Sequence, residues 1–367
     1  MLSFGIMTLN KRNEKSYFLE MAKRANAYGI NCFRFVPSDI NPISEKISGD
    51  FFNPSSGDWE PKVFSAPAIL YDRCFYGDDS HSKQCMSIVN WLKAREDIHF
   101  LGYGLPNKLE LYELLTHSSI SPYLLKTDPF LSSEKFFERL CPDQPLILKP
   151  ASGSQGKGIY YIEKAGKDIL VKTDKKDGQI SHCFEKPQKA FAWLNRLTST
   201  RQYLIQPYVN LSNKESQPFD VRILLQKDSK GTWKEIGRGI RTGKNGGIIS
   251  NLSAGGTNIS FDEWIAAYPS PMQDYICDEL NEIINTLPAA LEDELPPLFE
   301  MGIDIGVATD GSIWVLDINS KPGRKTILNI HPEKNEELYN APLLYAKHLA
   351  ASMQNERRQD HAKTVSN

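Results

Sequence analysis

Residues 301–323, MGIDIGVATDGSIWVLDINSKPG, constrain this chain more tightly than any other stretch. Two runs of alternating apolar residues flank Asp310-Gly311, a dipeptide favoured in two-residue hairpin turns. With those two residues as the loop, Thr309 faces Ser312, and counting back along both strands sets Asp304 opposite Asp317. Ile303, Ile305 and Val307 then share a face with Trp314, Leu316 and Ile318, and that face belongs in a core. The other face carries Asp304, Gly306, Ala308, Ile313, Val315, Asp317 and Asn319. A bulged three-residue loop would instead turn one strand's faces over. Two carboxylates opposed across a strand pair repel, so the pair either raises a pKa or holds a cation. Asp304, Asp317 and Asn319 offer only oxygen, with no His or Cys nearby, which suits magnesium rather than zinc. The plainer alternative leaves both Asp residues on a solvated sheet face.

The 367 residues suffice for two or three packed subdomains. A hydrophobic content of 40% and a charged content of 24% are ordinary for a soluble globular protein. A net charge of −2 offers no electrostatic argument for a nucleic-acid partner. No apolar run is long enough to span a bilayer, and the first residues lack a signal-peptide pattern. Six scattered cysteines form no C-x-x-C pair, so the expectation is a cytoplasmic protein without a membrane or nucleic-acid partner.

Strand-helix alternation over residues 1–104 predicts a small parallel α/β layer, interrupted by a Pro/Ser/Gly-rich loop over 53–67. Residues 105–207 form a second unit around strand 146–149, a Gly-rich loop, and strand 202–206. Residues 208–354 form a third, with strands 221–226 and 233–240, a helix over 272–287, the hairpin, and a last helix over 342–353. The tail 355–367 is polar. The predicted class is α/β in the first unit and α+β in the other two.

Residues 146–158, LILKPASGSQGKG, place a lysine at a strand end before a loop of small residues. Glycines let backbone N–H groups approach phosphate oxygens, and Lys149 adds a point charge. Lys157 is followed by Gly158 rather than Ser or Thr, so this is not the P-loop pattern. A flexible connecting loop is the alternative. Lys108 opens a short helix, and residues 206–209, QPYV, end a strand as either a nucleobase-edge hinge or a turn. Asp220 and Arg222 share a strand face, and Arg238 and Arg241 follow on and after the next strand. They either pair among themselves or meet a transferring phosphoryl group. Gly237 and Gly239 leave room beside Arg238, which favours the second role for it.

In order, Lys108, Lys149-Pro150, the Gly-rich loop, Gln206-Pro207-Tyr208-Val209, Phe219-Asp220-Val221-Arg222, Asn251 with Gly255-Gly256, and Gly302-Ile303-Asp304 leading to Asp317-Ile318-Asn319 resemble the ATP-grasp superfamily. The likeness covers roughly residues 100–325, and Asp317 to Gly323 looks most like the YheC/YheD-type branch associated with Bacillus spore coats. The resemblance implies an ADP-forming carboxylate–amine ligase that uses ATP and one or two magnesium ions, or manganese, through an acyl phosphate. Its partners would be a small-molecule or peptide carboxylate and an amine. The resemblance also implies roles. ATP would meet Lys108, Lys149, the loop residues Ser152, Gly153, Ser154, Gln155 and Gly156, the hinge residues Gln206, Tyr208 and Val209, and Asn251. Asp304, Asp317 and Asn319 would hold metal. Arg238, with Arg222 and Lys149, would serve the chemistry. Asp317 stands where Glu is usual, and Pro207 removes one hinge N–H. Substrate selection would fall to loops near Asn10, Arg73 and residues 320–324, with Arg73 and Arg324 as candidate carboxylate binders.

Overall fold

The computed structural model describes residues 1–153, 156–175, 178–250 and 256–365, the last ten of these as helix only. Three sheets divide the chain. The first is built from β1 (Leu2–Met7), β2 (Ile30–Phe35), β3 (Lys46–Asn53), β4 (Asp58–Ser65), β5 (Ile69–Asp72) and β6 (His99–Phe100), ordered β4-β3-β2-β1-β5-β6. Strands β2, β1, β5 and β6 run parallel, as the alternation predicts. Its crossovers include α1 (Lys15–Ala25), which buries Phe18, Met21, Ala22 and Ala25 at helical spacing, and α2 (Ser80–Lys93), capped by Asp79. The loop expected over 53–67 is corrected: β3 and β4 form an antiparallel hairpin there. Pro61 is tolerated within β4 because that strand lies at the sheet edge, where a missing N–H costs no ladder bond.

Next in the chain come α3 (Lys108–Leu115), β7 (Asp128–Pro129), α4 (Ser133–Arg139), β8 (Leu146–Pro150), β9 (Tyr160–Ala165), β10 (Asp168–Lys175), β11 (Gly178–Phe184), α5 (Pro187–Thr198) and β12 (Tyr203–Pro207). The strands form an antiparallel sheet in the order β11-β10-β9-β8-β12-β7. Alternation along β8 buries Leu146 and Leu148 with α4 and α5, so Lys149 points to the opposite face.

The third sheet, β15-β14-β13-β16-β17, uses β13 (Phe219–Lys227), β14 (Trp233–Thr242), β15 (Thr257–Ser260), β16 (Glu300–Val307) and β17 (Ile313–Asn319). Strands β13 and β16 are buried along their whole length. One face packs on α6 (Phe261–Ile265) and on Ile276, Leu280, Ile283, Leu287 and Leu291 of α7 (Ser270–Glu292). Leu111 and Leu115 of α3 join this core, which anchors α3 against the third sheet. After β17 come α8 (Lys325–Ile330) and α9 (Asn335–Val365). Helix α9 extends well past residue 353 and packs Leu343, Tyr345 and Ala346 onto the first sheet, so both ends of the chain share one core. No helix among the described residues is long and apolar enough to cross a membrane.

Candidate active site

The hairpin turn is not the expected two-residue loop. Ala308 N–H bonds Ser312 O at 2.9 Å, and Gly311 N–H bonds Ala308 O at 3.0 Å, so Thr309, Asp310 and Gly311 form the loop. Gly311 takes φ 87°, a left-handed value that glycine adopts without strain. Ala308, rather than Thr309, therefore faces Ser312. A second irregularity compensates: Ile305 pairs with Val315, yet Asp304 pairs with Asp317, leaving Leu316 as an extra residue in a bulge. Past the bulge the register returns, and the two carboxylates face each other. The face assignment is corrected between turn and bulge. Ile313 and Val315 join Ile303, Ile305, Val307 and Ile318 in the core, while Leu316 lines the cleft.

That cleft lies between the second and third sheets, lined by Lys108, Lys149, Gly153, Gly156, Lys157, Asp220, Arg241, Ser250, Asp304 and Asp317. Asn107 caps α3, its Oδ1 accepting from Leu109 N–H at 2.9 Å and Glu110 N–H at 3.1 Å, which sets Lys108 at the first helical position. Lys108 Nζ donates to Asp317 Oδ1 at 2.6 Å, and Asn319 Nδ2 to Asp317 Oδ2 at 3.1 Å. Lys149 Nζ reaches Leu316 O at 3.4 Å. Arg222 pairs with Asp304. Arg241 grips Asp220 through Nε at 2.7 Å and Nη2 at 2.6 Å, and meets Asp304 Oδ2 at 2.8 Å. Ser250 donates its hydroxyl to Asp220.

Burial lowers the Lys149 pKa to about 7; Lys108 pushes the same way and Asp317 opposes. Burial alone would raise the Asp317 carboxyl, but Lys108 and Lys149 outweigh it and hold it below the usual range. Asp220 moves up because burial, with a contribution from Asp304, outweighs Arg241. Burial lowers the Arg222 pKa against the pull of Asp304, and Arg222 Nε is buried without a partner among the described residues. Five basic residues, Lys108, Lys149, Lys157, Arg222 and Arg241, thus lie around three carboxylates, an arrangement suited to an anionic ligand.

The structure brings Lys108, Lys149, Gly153, Gly156, Arg222, Asp304, Asp317 and Asn319 to this cleft. Ser152 is exposed beside it, and Ser154, Gln155 and Asn251 lie outside the described residues. Gln206 lines an adjoining cavity that shares Lys108, Lys149, Leu316 and Asp317, and donates to Thr127 Oγ1 at 2.7 Å. Tyr208 and Val209 line neither cavity; Tyr208 N–H bonds Pro145 O at 2.9 Å and its ring packs edge-on to Tyr161. Arg238 is a correction. It sits on the helix-covered face of the third sheet, paired with Glu235 at 2.5 Å and Asn281 at 3.0 Å and lying over the Phe261 ring. A Cβ at Gly239 would strike Ile330 Cδ1 at 2.2 Å, so that glycine makes room for α8 rather than for a ligand. Arg241 occupies the cleft instead. Its signal was the cross-strand register Asp220–Arg241, which spacing along one strand does not reveal. The β10–β11 ribbon reaches across the cleft: Asp174 Oδ2 accepts from Ile248 N–H at 2.6 Å and Ile249 N–H at 2.9 Å, and Gln179 donates to Gly246 O at 2.8 Å.

The family model for YheC/D-like ATP-grasp proteins matches residues 97–349. The chain is 37% identical over 350 residues to the endospore coat-associated protein YheC of Bacillus subtilis (strain 168), covering 95% of this chain and 96% of that one. The chain belongs to the YheC/D-like ATP-grasp family. A second relative, YheD of the same organism, is 24% identical over 317 residues, covering 85% of this chain and 69% of YheD. Among solved structures, D-cycloserine synthetase DcsG matches with a TM-score of 0.55 at 10% identity, over 95% of this chain and 99% of that one. N5-carboxyaminoimidazole synthetase from Staphylococcus aureus, complexed with ADP, matches with a TM-score of 0.52 at 14% identity, over 88% and 71%. These two likenesses carry the ATP-grasp fold.

In this YheC/D-like chain the two arginines expected to bind a substrate carboxylate are already engaged. Arg73, fully buried, pairs with Glu300 and Glu14 at 2.7 Å each. Arg324 meets Glu300 at 2.9 Å and Glu14 at 3.0 Å, and Tyr71 hydroxyl donates to Glu300 at 2.7 Å. This network ties α1, β5, β16 and the start of α8 together behind the cleft, a positioning role in place of the expected substrate contact. Asp304, Asp317 and Asn319 supply only oxygen, the ligand type a hard divalent cation takes, with Asp304 paired to Arg222 and Arg241 and Asp317 to Lys108 and Asn319.

Proposed function

We propose that this chain is an ADP-forming carboxylate–amine ligase that uses ATP. One observation carries the reading: Lys108, Lys149, Arg222 and Arg241 converge on Asp220, Asp304 and Asp317 in a single cleft between two sheets. The fold relative in complex with ADP supports a nucleotide there. Lys108, Lys149 and the loop around Gly153 and Gly156 face the phosphates, and Leu316 and Gln206 lie toward the base. Magnesium, or manganese, held by Asp304, Asp317 and Asn319, would neutralise phosphate charge.

The chemistry runs in two steps. A substrate carboxylate oxygen attacks the γ-phosphorus, the bond to the bridging oxygen breaks, and ADP leaves. An amine then attacks the acyl carbon, loses a proton, and expels phosphate. Arg241 and Arg222, on the cleft face of β14 and β13, are placed to steady the negative charge that gathers in both steps. Water would hydrolyse the mixed anhydride, and the bonds from Asp174 and Gln179 to residues 246–249 hold the ribbon over the cleft.

The likeness to an endospore coat-associated protein supports a site of action in the cytoplasm of a sporulating cell or at the coat. A second reading, a structural coat protein with a relict nucleotide site, is disfavoured because the charged residues are all present. A phosphotransferase with the same nucleotide site would need a single acceptor. Phosphate release measured across pairs of carboxylates and amines tests the choice. A ligase releases phosphate fully only when both substrates are present; release with one acceptor and a stable phosphorylated product would favour the phosphotransferase.

A further inference from the structure

Away from the nucleotide cleft, the outer side of the second sheet carries two apolar grooves, one on each flank of α5. The first, about 510 Å³, runs under Tyr160, Phe184 and Trp193, with Lys189, Arg196 and His182 on its walls. The second, about 380 Å³, lies between Phe137, Phe191 and Ile169, with Lys164 and Lys167 on its walls. Among the described residues neither lining contains a carboxylate, and Glu163, Asp168 and Glu185, close by in the chain, line neither groove. None of Lys164, Lys167, Lys189 and Arg196 forms an ion pair among the described residues.

The first groove is lined by Ile180, His182 and Phe184 of β11, the edge strand of the sheet, whose residues are largely exposed and where Ile180 stands 48% exposed. An edge strand offers unpaired main-chain donors and acceptors. Aromatic walls, unpaired cations on two flanks of one helix, and an open strand edge together select an occupant that has apolar anchors, acidic side chains and a backbone of its own.

We propose that this face of the second subdomain docks an acidic peptide segment of a partner protein, with aromatic or aliphatic side chains in the grooves and carboxylates on Lys164, Lys167, Lys189 and Arg196. The two grooves share no lining residue with the nucleotide cleft, so the proposal stands whether or not the chain is a ligase.

The test is fluorescence anisotropy with the intact chain and a fluorescein-labelled peptide of alternating Glu and Phe. The comparison probes are the same peptide with Lys for Glu, and labelled oligothymidine. The expected result is saturable binding of the acidic peptide that weakens with salt. Joint Lys189→Glu and Arg196→Glu substitution should weaken it by about tenfold or more, and Trp193→Ala should also weaken it. Thermal melting of each variant at the wild-type temperature shows that the fold is kept. Lys164→Glu with Lys167→Glu, on the other flank, provides a second variant should the first not fold. The proposal is overturned if the acidic peptide does not bind at concentrations on the order of 100 µM. It is equally overturned if the basic peptide or oligothymidine binds as well, or if charge reversal on both flanks leaves affinity unchanged.

Discussion

Lys108 and Asp317, 209 residues apart in sequence, meet at 2.6 Å where the first turn of α3 leans on β17. The contact joins the helix that opens the second unit to the strand that closes the carboxylate hairpin. Asp317 also accepts from Asn319 and faces Asp304. Asp317→Ala should therefore lower substrate-dependent phosphate release by about a hundredfold or more while the chain stays folded. Circular dichroism and a phosphate assay on the same preparation check both halves of that expectation.

Lys149 gives a pH signature. Its folded pKa, about 7, lies below the ordinary lysine value because burial disfavours the charged form. Between the two values the unfolded chain binds more protons than the folded one, so this group makes stability rise with pH from about 7 upward. Lys149→Met should flatten that rise, read as melting temperature against pH. Binding a polyphosphate should restore the charge, so nucleotide binding at pH 8 should take up a proton in wild type and not in the variant. Calorimetry in two buffers of different ionisation enthalpy reads this directly.

The two arginines of β14 should separate cleanly. Removing Arg241 leaves Asp220 and Asp304 short of a buried partner, so Arg241→Ala should cost about 3–5 kcal/mol in urea unfolding and abolish phosphate release. Arg238 bonds a neighbour on its own strand at a partly exposed position, so Arg238→Ala should cost no more than about 1 kcal/mol and keep activity near wild type.

Much of the fold was legible in the sequence because its signals are local: helical spacing in α1 and α7, alternation in β16 and β17, and a lysine before a Gly-rich loop. What stayed hidden depends on partners distant in the chain. Asp304 meets Asp317 only because a loop one residue longer than expected is offset by the Leu316 bulge, and both residue counts predict the same pairing. The roles of Arg73 and Arg324 turn on Glu14 and Glu300, which lie 59 and 227 residues from Arg73. No spacing rule announces such contacts. The β3–β4 hairpin was masked by Pro61, a residue that reads as loop unless the strand is known to be an edge.

The buried network behind the cleft should be a large contributor to stability. Arg73→Ala strips Glu14 and Glu300 of a shared partner and should cost about 3–5 kcal/mol. Glu300→Gln should couple strongly to it in a double-mutant cycle, because Glu300 also serves Arg324 and Tyr71.

At the turn, Gly311→Ala places a side chain at φ 87° and should cost about 1–2 kcal/mol without altering the cleft. Urea unfolding and the phosphate assay together separate that local strain from an effect on chemistry.

The most direct test of the central claim is a calorimetric titration of ADP, with and without magnesium, into wild type and into a chain carrying Asp304→Asn and Asp317→Asn. A metal site at the carboxylate hairpin predicts that magnesium tightens ADP binding in wild type and that the double substitution removes the tightening. Equal magnesium dependence in both proteins, or no ADP binding by wild type, would contradict it.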